Sequence, residues 1–170
     1  MDIFKEQLVR KTPDKSDSVK KLIILAVTCA LAVVCFLFFL SVNIPIFGVL
    51  FAGGAIYGGY FLITNTMVEY EYILTLGELD IDKIVAQRSR KRLATLKLAT
   101  VLEFGEVTNS LNTSSCQTVI NASANNPEIT DYYLKLNHSS LGSTILIFSP
   151  TEEMLQFVKE SLPRNLRIGR

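Results

Sequence analysis

The residues able to do chemistry are crowded into one short stretch. Glu78, Asp80 and Asp82 alternate along it, and Arg88, Arg90, Lys91 and Arg92 follow at once. Side chains two positions apart share one face of a strand. A tight connection near residues 85–87 therefore sets Asp82 toward Arg90 and Asp80 toward Arg92. Two chemistries follow. The rows form cross-strand ion pairs, each worth about 0.2–1 kcal/mol when exposed. Alternatively, Arg88, Arg90, Lys91 and Arg92 hold anionic lipid headgroups, each base adding about 1 kcal/mol beside a charged bilayer. Pairing accounts for the acids as well as the bases. A helix over the same residues still keeps Arg88, Lys91 and Arg92 on one face, so a basic patch survives either assignment.

Other reactive groups give weaker signals. Glu71, Asp80 and Asp82 offer three carboxylates to a divalent cation, but without the glycine pattern of a calcium loop. His138, the single histidine, stands beside Ser139 and Ser140 without the Gly-x-Ser-x-Gly turn that presents a nucleophile. No phosphate-binding glycine loop is present. Cys29, Cys35 and Cys116 have neither disulfide nor zinc spacing, which suits a reducing compartment. Tyr70, Tyr72 and Tyr132 fall on apolar faces and read as core. The expectation is no catalytic residue, no cofactor and no metal, hence no enzyme. A net charge of +1 points away from nucleic acid.

The elements that carry these residues begin with a membrane anchor. From residue 22 to residue 68 there is no Asp, Glu, Lys or Arg, and Asn43-Ile44-Pro45 divides the run. Residues 22–42 rise about 31 Å as a helix, the thickness of a bilayer's hydrocarbon core. Residues 46–66 match them. The first run is too long for a signal peptide, follows a polar arm and is answered at once by a second span. Lys5, Arg10, Lys11, Lys15, Lys20 and Lys21 precede the pair, Lys83, Arg88, Arg90, Lys91 and Arg92 follow it, and the turn is uncharged. Both termini are therefore expected in the cytosol. In that topology Asn112, Asn121 and Asn137 match the glycosylation pattern by chance.

Within the second span Gly48 with Ala52, Gly54 with Gly58, and Ala55 with Gly59 are each four apart. Gly48, Ala52, Gly54 and Gly58 are the candidate helix-packing face, with Ala26 and Ala30 a similar surface on the first span. It serves either the hairpin itself or a contact with a second chain. Before the spans, Ile3, Phe4 and Leu8 recur at helical spacing, with Lys5, Arg10 and Lys11 available to headgroups. Residues 2–11 are expected to form a short interfacial helix, or else a frayed arm.

After residue 68 the pattern changes to alternation. Val68, Tyr70, Tyr72, Leu74 and Leu76 alternate with more polar neighbours, Gly77 turns the chain, and a second strand runs to about Val85. Further strands are expected over residues 88–95, 100–106, 116–121, 131–137 and 143–149, seven in all. Ser149, Pro150 and Glu152 start a helix as cap, first residue and capping box. Met154, Leu155, Val158 and Leu162 form its buried stripe and Pro163 stops it, leaving Arg164, Arg167 and Arg170 as a basic tail. The expected organisation is an arm over 1–21, a helical hairpin over 22–67, a β domain over 68–163 and a tail over 164–170.

Seven strands followed by one helix resemble a pleckstrin-homology-like bent barrel capped by its C-terminal helix. The chain also resembles small bacterial two-span membrane proteins in which such a domain follows the spans. The resemblance is carried by Val68-Glu69-Tyr70-Glu71-Tyr72, by residues 77–84 and by Ser89-Arg90-Lys91-Arg92. Tyr132-Tyr133-Leu134, Asn137-His138 and residues 148–163 extend it. It implies a multi-pass protein of the bacterial cytoplasmic (inner) membrane but brings no catalytic or ligand residues. The expected role is a membrane-anchored interaction or scaffolding module. The alternative is an accessory subunit that assembles through the glycine-rich second span. Expected partners are the bilayer, its anionic headgroups, another membrane protein or a second copy.

Overall fold

A computed structural model describes residues 4–108 and 111–167. Ile3 and Arg170, from the expected N-terminal helix and basic tail, lie outside the described residues. The chain divides into two units, one formed by residues 13–67 and one by residues 1–12 together with 68–170.

The first unit is a helical hairpin of α1 (Lys15–Ser41) and α2 (Pro45–Thr64). Asp14 caps α1 by accepting from the Lys15 amide, and Pro45 opens α2, where its missing N–H costs nothing. Asn43 turns the chain between them with φ at 65°. Mean hydropathy reaches 3.0 and 1.8 along them, yet few of their residues are buried. The core helix of a soluble protein would be mostly buried, so these are helices long and apolar enough to cross a membrane and in need of an apolar surrounding.

The seam between them differs from the expected face. A Cβ at Gly59 would strike Thr28, and one at Gly48 would press on Phe36 and Phe39. Ala32 is buried opposite them, and the Phe39 ring stacks on Phe51 at 5.2 Å. The seam thus follows Gly48, Ala52, Ala55 and Gly59, spaced 4, 3 and 4, which tracks a 3.6-residue turn. Gly54 and Gly58 lie about 80–120° around the helix from it. A Cβ at Gly53, Gly54 or Gly58 would meet nothing within 4 Å. Ala26 and Ala30 are exposed and take no part.

The second unit holds two four-stranded sheets rather than one bent barrel. The first runs β1 (Phe4–Arg10), β2 (Val68–Thr75), β3 (Glu78–Val85) and β4 (Ser89–Lys97), in that order and antiparallel throughout. The second contains β5 (Val101–Glu106), β6 (Thr118–Ala122), β7 (Tyr132–His138) and β8 (Gly142–Phe148) in the order β5-β7-β8-β6, with β6 and β8 parallel. Among the described residues there are eight strands, one more than expected, because residues 4–10 form β1 instead of a helix. The spacing of Phe4 and Leu8 explains the misreading: residues four apart share a face in a strand as well as in a helix. Pairing Phe4 with Thr75 through to Arg10 with Glu69 decides between them.

The two-residue β2–β3 turn places Leu76 and Gly77 at φ 50° and 83°, the left-handed pair that matches strand twist. For β4, rich in Lys, Arg, Ala and Leu, pairing with β3 overrides helix propensity. Tyr72, Leu74, Ile81 and Leu96 from the first sheet pack with Leu134, Leu146 and Phe148 from the second. The Tyr72 and Phe148 rings meet edge to face at 5.7 Å.

Helix α3 (Glu152–Ser161) closes this core with Met154 and Val158, followed by Leu162. Leu155 is half-exposed instead of buried, and Phe157 packs against the core from the flank. The cap is Thr151, whose Oγ1 accepts from the Met154 amide at 3.3 Å, not Ser149. Ser149 is engaged elsewhere: its Oγ accepts from the Ala124 amide at 2.7 Å and donates to Asp131. Pro163 separates α3 from a last turn, α4 (Arg164–Arg167).

The β unit is thus discontinuous, and the hairpin is inserted between adjacent strands whose ends are already joined by Lys11 N donating to Val68 O at 3.0 Å. A chain in which a short Gly-Ser linker replaces residues 13–66 should fold as a soluble domain with one cooperative thermal transition. Residues 68–170 alone should melt markedly lower or aggregate, since removing β1 bares the edge of β2. Equal melting of the two chains would show that β1 contributes nothing.

Candidate functional site

The outer face of the first sheet gathers the charged residues. Register sets Glu71 opposite Asp82 and Asp82 opposite Arg92. A bulge at Leu93 makes this possible: Ile81 pairs with Ala94 while Asp82 pairs with Arg92. Arg90, Arg92, Ala94 and Leu96 have the same parity, and in a regular strand all four would share one face. The extra residue reverses the phase, so Ala94 and Leu96 enter the core while Arg90 and Arg92 face out.

Asp82 is the centre. Its carboxylate accepts from Arg90 Nε at 2.7 Å and from Arg92 Nε at 2.8 Å. Arg90 reaches on to Glu71, and Arg92 Nη1 to Asp80 at 2.7 Å. At the border of this group Glu69 accepts from Arg10 Nε at 2.9 Å and from the Gln87 side-chain Nε2 at 3.4 Å. The burial is lopsided. Asp82, Glu69 and Glu71 are 3%, 5% and 7% exposed, whereas the Arg90 and Arg92 side chains are 51% and 50% exposed. The guanidiniums lie over the acids with their outer sides in water, and the hydrogen bond that Arg92 donates to Asp82 raises the Arg92 pKa above its ordinary value.

Both expected contacts, Asp82 with Arg90 and Asp80 with Arg92, are present. Glu78 pairs instead with Lys97, at 3.8 Å. The four basic candidates do not form one surface. Arg88 sits in the β3–β4 turn, and Lys91, opposite Lys83, points to the other face from Arg90 and Arg92. Sequence reasoning missed Glu69 and Arg10, and it set Glu71 beside Asp80 and Asp82 only as a cation site, not as a partner of Arg90. The available signal was the alternation of Glu69 and Glu71 with Tyr70 and Tyr72. Asp82 and Glu71 are held by arginine and Asp80 by Arg92 and the Thr95 hydroxyl, and among the described residues no cluster of His, Cys, Asp or Glu has metal-holding geometry.

His138 is a tie between sheets. Its Nε2 lies 3.1 Å from the Thr95 carbonyl of β4, and its Nδ1 accepts from the Ser140 and Leu141 amides at 3.2 and 3.3 Å. Ser140 Oγ is also 3.2 Å from Nδ1. With both nitrogens occupied by backbone, the ring fixes the β7–β8 turn and is not set up to activate a serine. A second tie is buried: the Tyr72 hydroxyl donates to the Ala122 carbonyl and accepts from the Ser149 amide at 3.2 Å. Burial pushes the Tyr72 phenol well above its usual range.

Two outcomes follow. Arg90→Gln leaves buried Glu71 and Asp82 short of a cation and should lower stability by about 1–3 kcal/mol, less than for a fully buried pair because the arginine is half wet. Asp82→Asn should cost less, since each exposed guanidinium keeps another carboxylate. Denaturant melts of both variants test the order, and a larger loss for Asp82→Asn contradicts it. For Tyr72, the proton is held in the folded state and released from the unfolded chain near pH 10. Its contribution is complete below about pH 10 and declines above it. Phenolate absorbance from Tyr72, isolated by comparison with Tyr72→Phe, should therefore appear only as the domain unfolds.

A family profile described as a bacterial PH-like domain (DUF6106) matches residues 1–168. A search of curated proteins and one of solved structures returned no match. Since the profile spans β1, the apolar hairpin, both sheets and α3, the chain belongs to this bacterial PH-like domain family.

Proposed function

We propose that the chain is a membrane-anchored interaction module, with the helical hairpin in the bacterial inner membrane and the PH-like unit in the cytosol. The observation that carries this reading is the ladder between β1 and β2. Strands on either side of the two apolar helices are hydrogen-bonded neighbours, so the chain must leave and return on one side of the bilayer. The basic flanks make that side the cytosol.

The module works by contact and not by catalysis. Anionic headgroups are the less favoured partner. On the outer face of the first sheet Glu6, Glu69, Glu71, Glu78, Asp80 and Asp82 outnumber Arg10, Arg90, Arg92 and Lys97. A lipid phosphate would have to displace buried carboxylates from Arg90 and Arg92 and then lie beside them. A second reading, an accessory subunit of a membrane complex, is favoured by the open space over Gly54 and Gly58.

Cysteine labelling in intact cells tests the reading, in a chain whose own cysteines are replaced. Phe4→Cys and Leu76→Cys, both at exposed positions, should resist an impermeant maleimide until the membrane is opened. External labelling of either would overturn the topology. Purification in mild detergent separates the two roles. A stoichiometric partner lost on Gly54→Leu with Gly58→Leu supports the subunit, and one retained supports the β unit as the contact surface.

A further inference from the structure

We propose that the free edge of β1 is a strand-addition site for an extended, basic segment of a partner protein. The inference rests on the interaction-module reading and names its surface. The phase of the β1–β2 ladder is set by Lys11 N donating to Val68 O, which makes Lys5, Gln7 and Val9 the residues bonded to β2. Glu6, Leu8 and Arg10 therefore turn their backbone N–H and C=O groups away from β2. Among the described residues these groups have no backbone partner.

One rung on that side is already made. Thr12 N donates to Ala124 O at 2.7 Å, and the Asn125 side chain donates to Thr12 O at 3.3 Å. Beyond this rung the edge borders an open cleft of about 620 Å³ between the 124–130 loop and the start of α3. Its floor is fixed by the Gln7 side-chain carboxamide, whose Nε2 donates to Ser149 O at 3.0 Å and whose Oε1 accepts from Thr151 N at 2.9 Å.

Leu8, Ile129 and Leu155 give the cleft apolar contacts for alternate side chains of such a strand. Arg10 is paired with Glu69, whereas the exposed Glu128 and Glu152 have no ion-pair partner among the described residues. The uncompensated charge is negative, so the complementary segment carries Lys or Arg.

The full chain in detergent micelles, isotopically labelled, is titrated with a capped Lys-Val-Lys-Val-Lys-Val peptide. The Leu8 and Arg10 amide resonances should shift and become protected from exchange. Methylating the peptide's backbone nitrogens on the face that meets β1 should weaken binding by about tenfold or more. Leu8→Pro should do the same without loss of the ladder, because it removes an N–H that β2 does not use. Retained protection at Gln7 and Val9 verifies that this variant is folded, and the methylated peptide tests the same bond on unaltered protein. Glu128→Gln with Glu152→Gln should weaken binding several-fold, in a salt-dependent manner. No shift at Leu8 and Arg10 at millimolar peptide, or equal binding of the methylated form, overturns the proposal. If a stoichiometric partner still co-purifies after either result, the module stands and its surface lies elsewhere.

Discussion

Seven residues before the first apolar helix form a hydrogen-bonded ladder with seven residues after the second, and that pairing constrains the rest of the molecule. It turns the helical hairpin into the loop of a β-hairpin. A flexible connection of such length would oppose closure by several kcal/mol of chain entropy. Two antiparallel helices that pack along Gly48, Ala52, Ala55 and Gly59 avoid most of that cost, since the chain returns close to where it left. The ladder also carries most of the strand's own stability. Of β1, only Val9 is a buried apolar side chain, and the Lys5–Glu153 pair is largely wet. Backbone hydrogen bonds, each worth about 0.5–1.5 kcal/mol net, and the Gln7 bridge to Ser149 and Thr151 are left to hold it.

The same sheet solves a second problem, how to place two arginines and two core residues of equal parity in one strand. The bulge at Leu93 does so at the cost of one ladder position. Asp82 then becomes the shared acceptor of Arg90 and Arg92, with Glu71 and Asp80 completing the group. Carboxylates under a cover of half-wet guanidiniums give the face register and a net negative excess. That is a poor surface for anionic lipid and a reasonable one for fixing how β2, β3 and β4 align.

Much of this was legible in the residues. The uncharged run and its break at Asn43-Ile44-Pro45 marked the helices, and alternation from Val68 to Leu74 marked the second strand. Met154, Val158 and Leu162 marked the helix face that closes the core. What was not legible depended on partners distant in sequence. Phe4 and Leu8 satisfy helix and strand equally, and only β2 decides. Ser149 has every property of a cap, but Asp131 and the Ala124 amide hold it, and Thr151 takes the role. The bulge leaves no mark beyond the conflict between Arg90, Arg92 and Ala94, Leu96. Gly54 and Gly58 look like Gly48 in sequence, and only the helix phase separates seam from open face.

Amide hydrogen exchange along residues 4–10 of the full chain reports the ladder most directly. Alternation is expected: Lys5, Gln7 and Val9 protected together with Tyr70, Tyr72 and Leu74, and Glu6 and Leu8 exchanging freely when no peptide is bound. Uniform protection across residues 4–10, as in a helix on a membrane surface, or no protection at all, would contradict it.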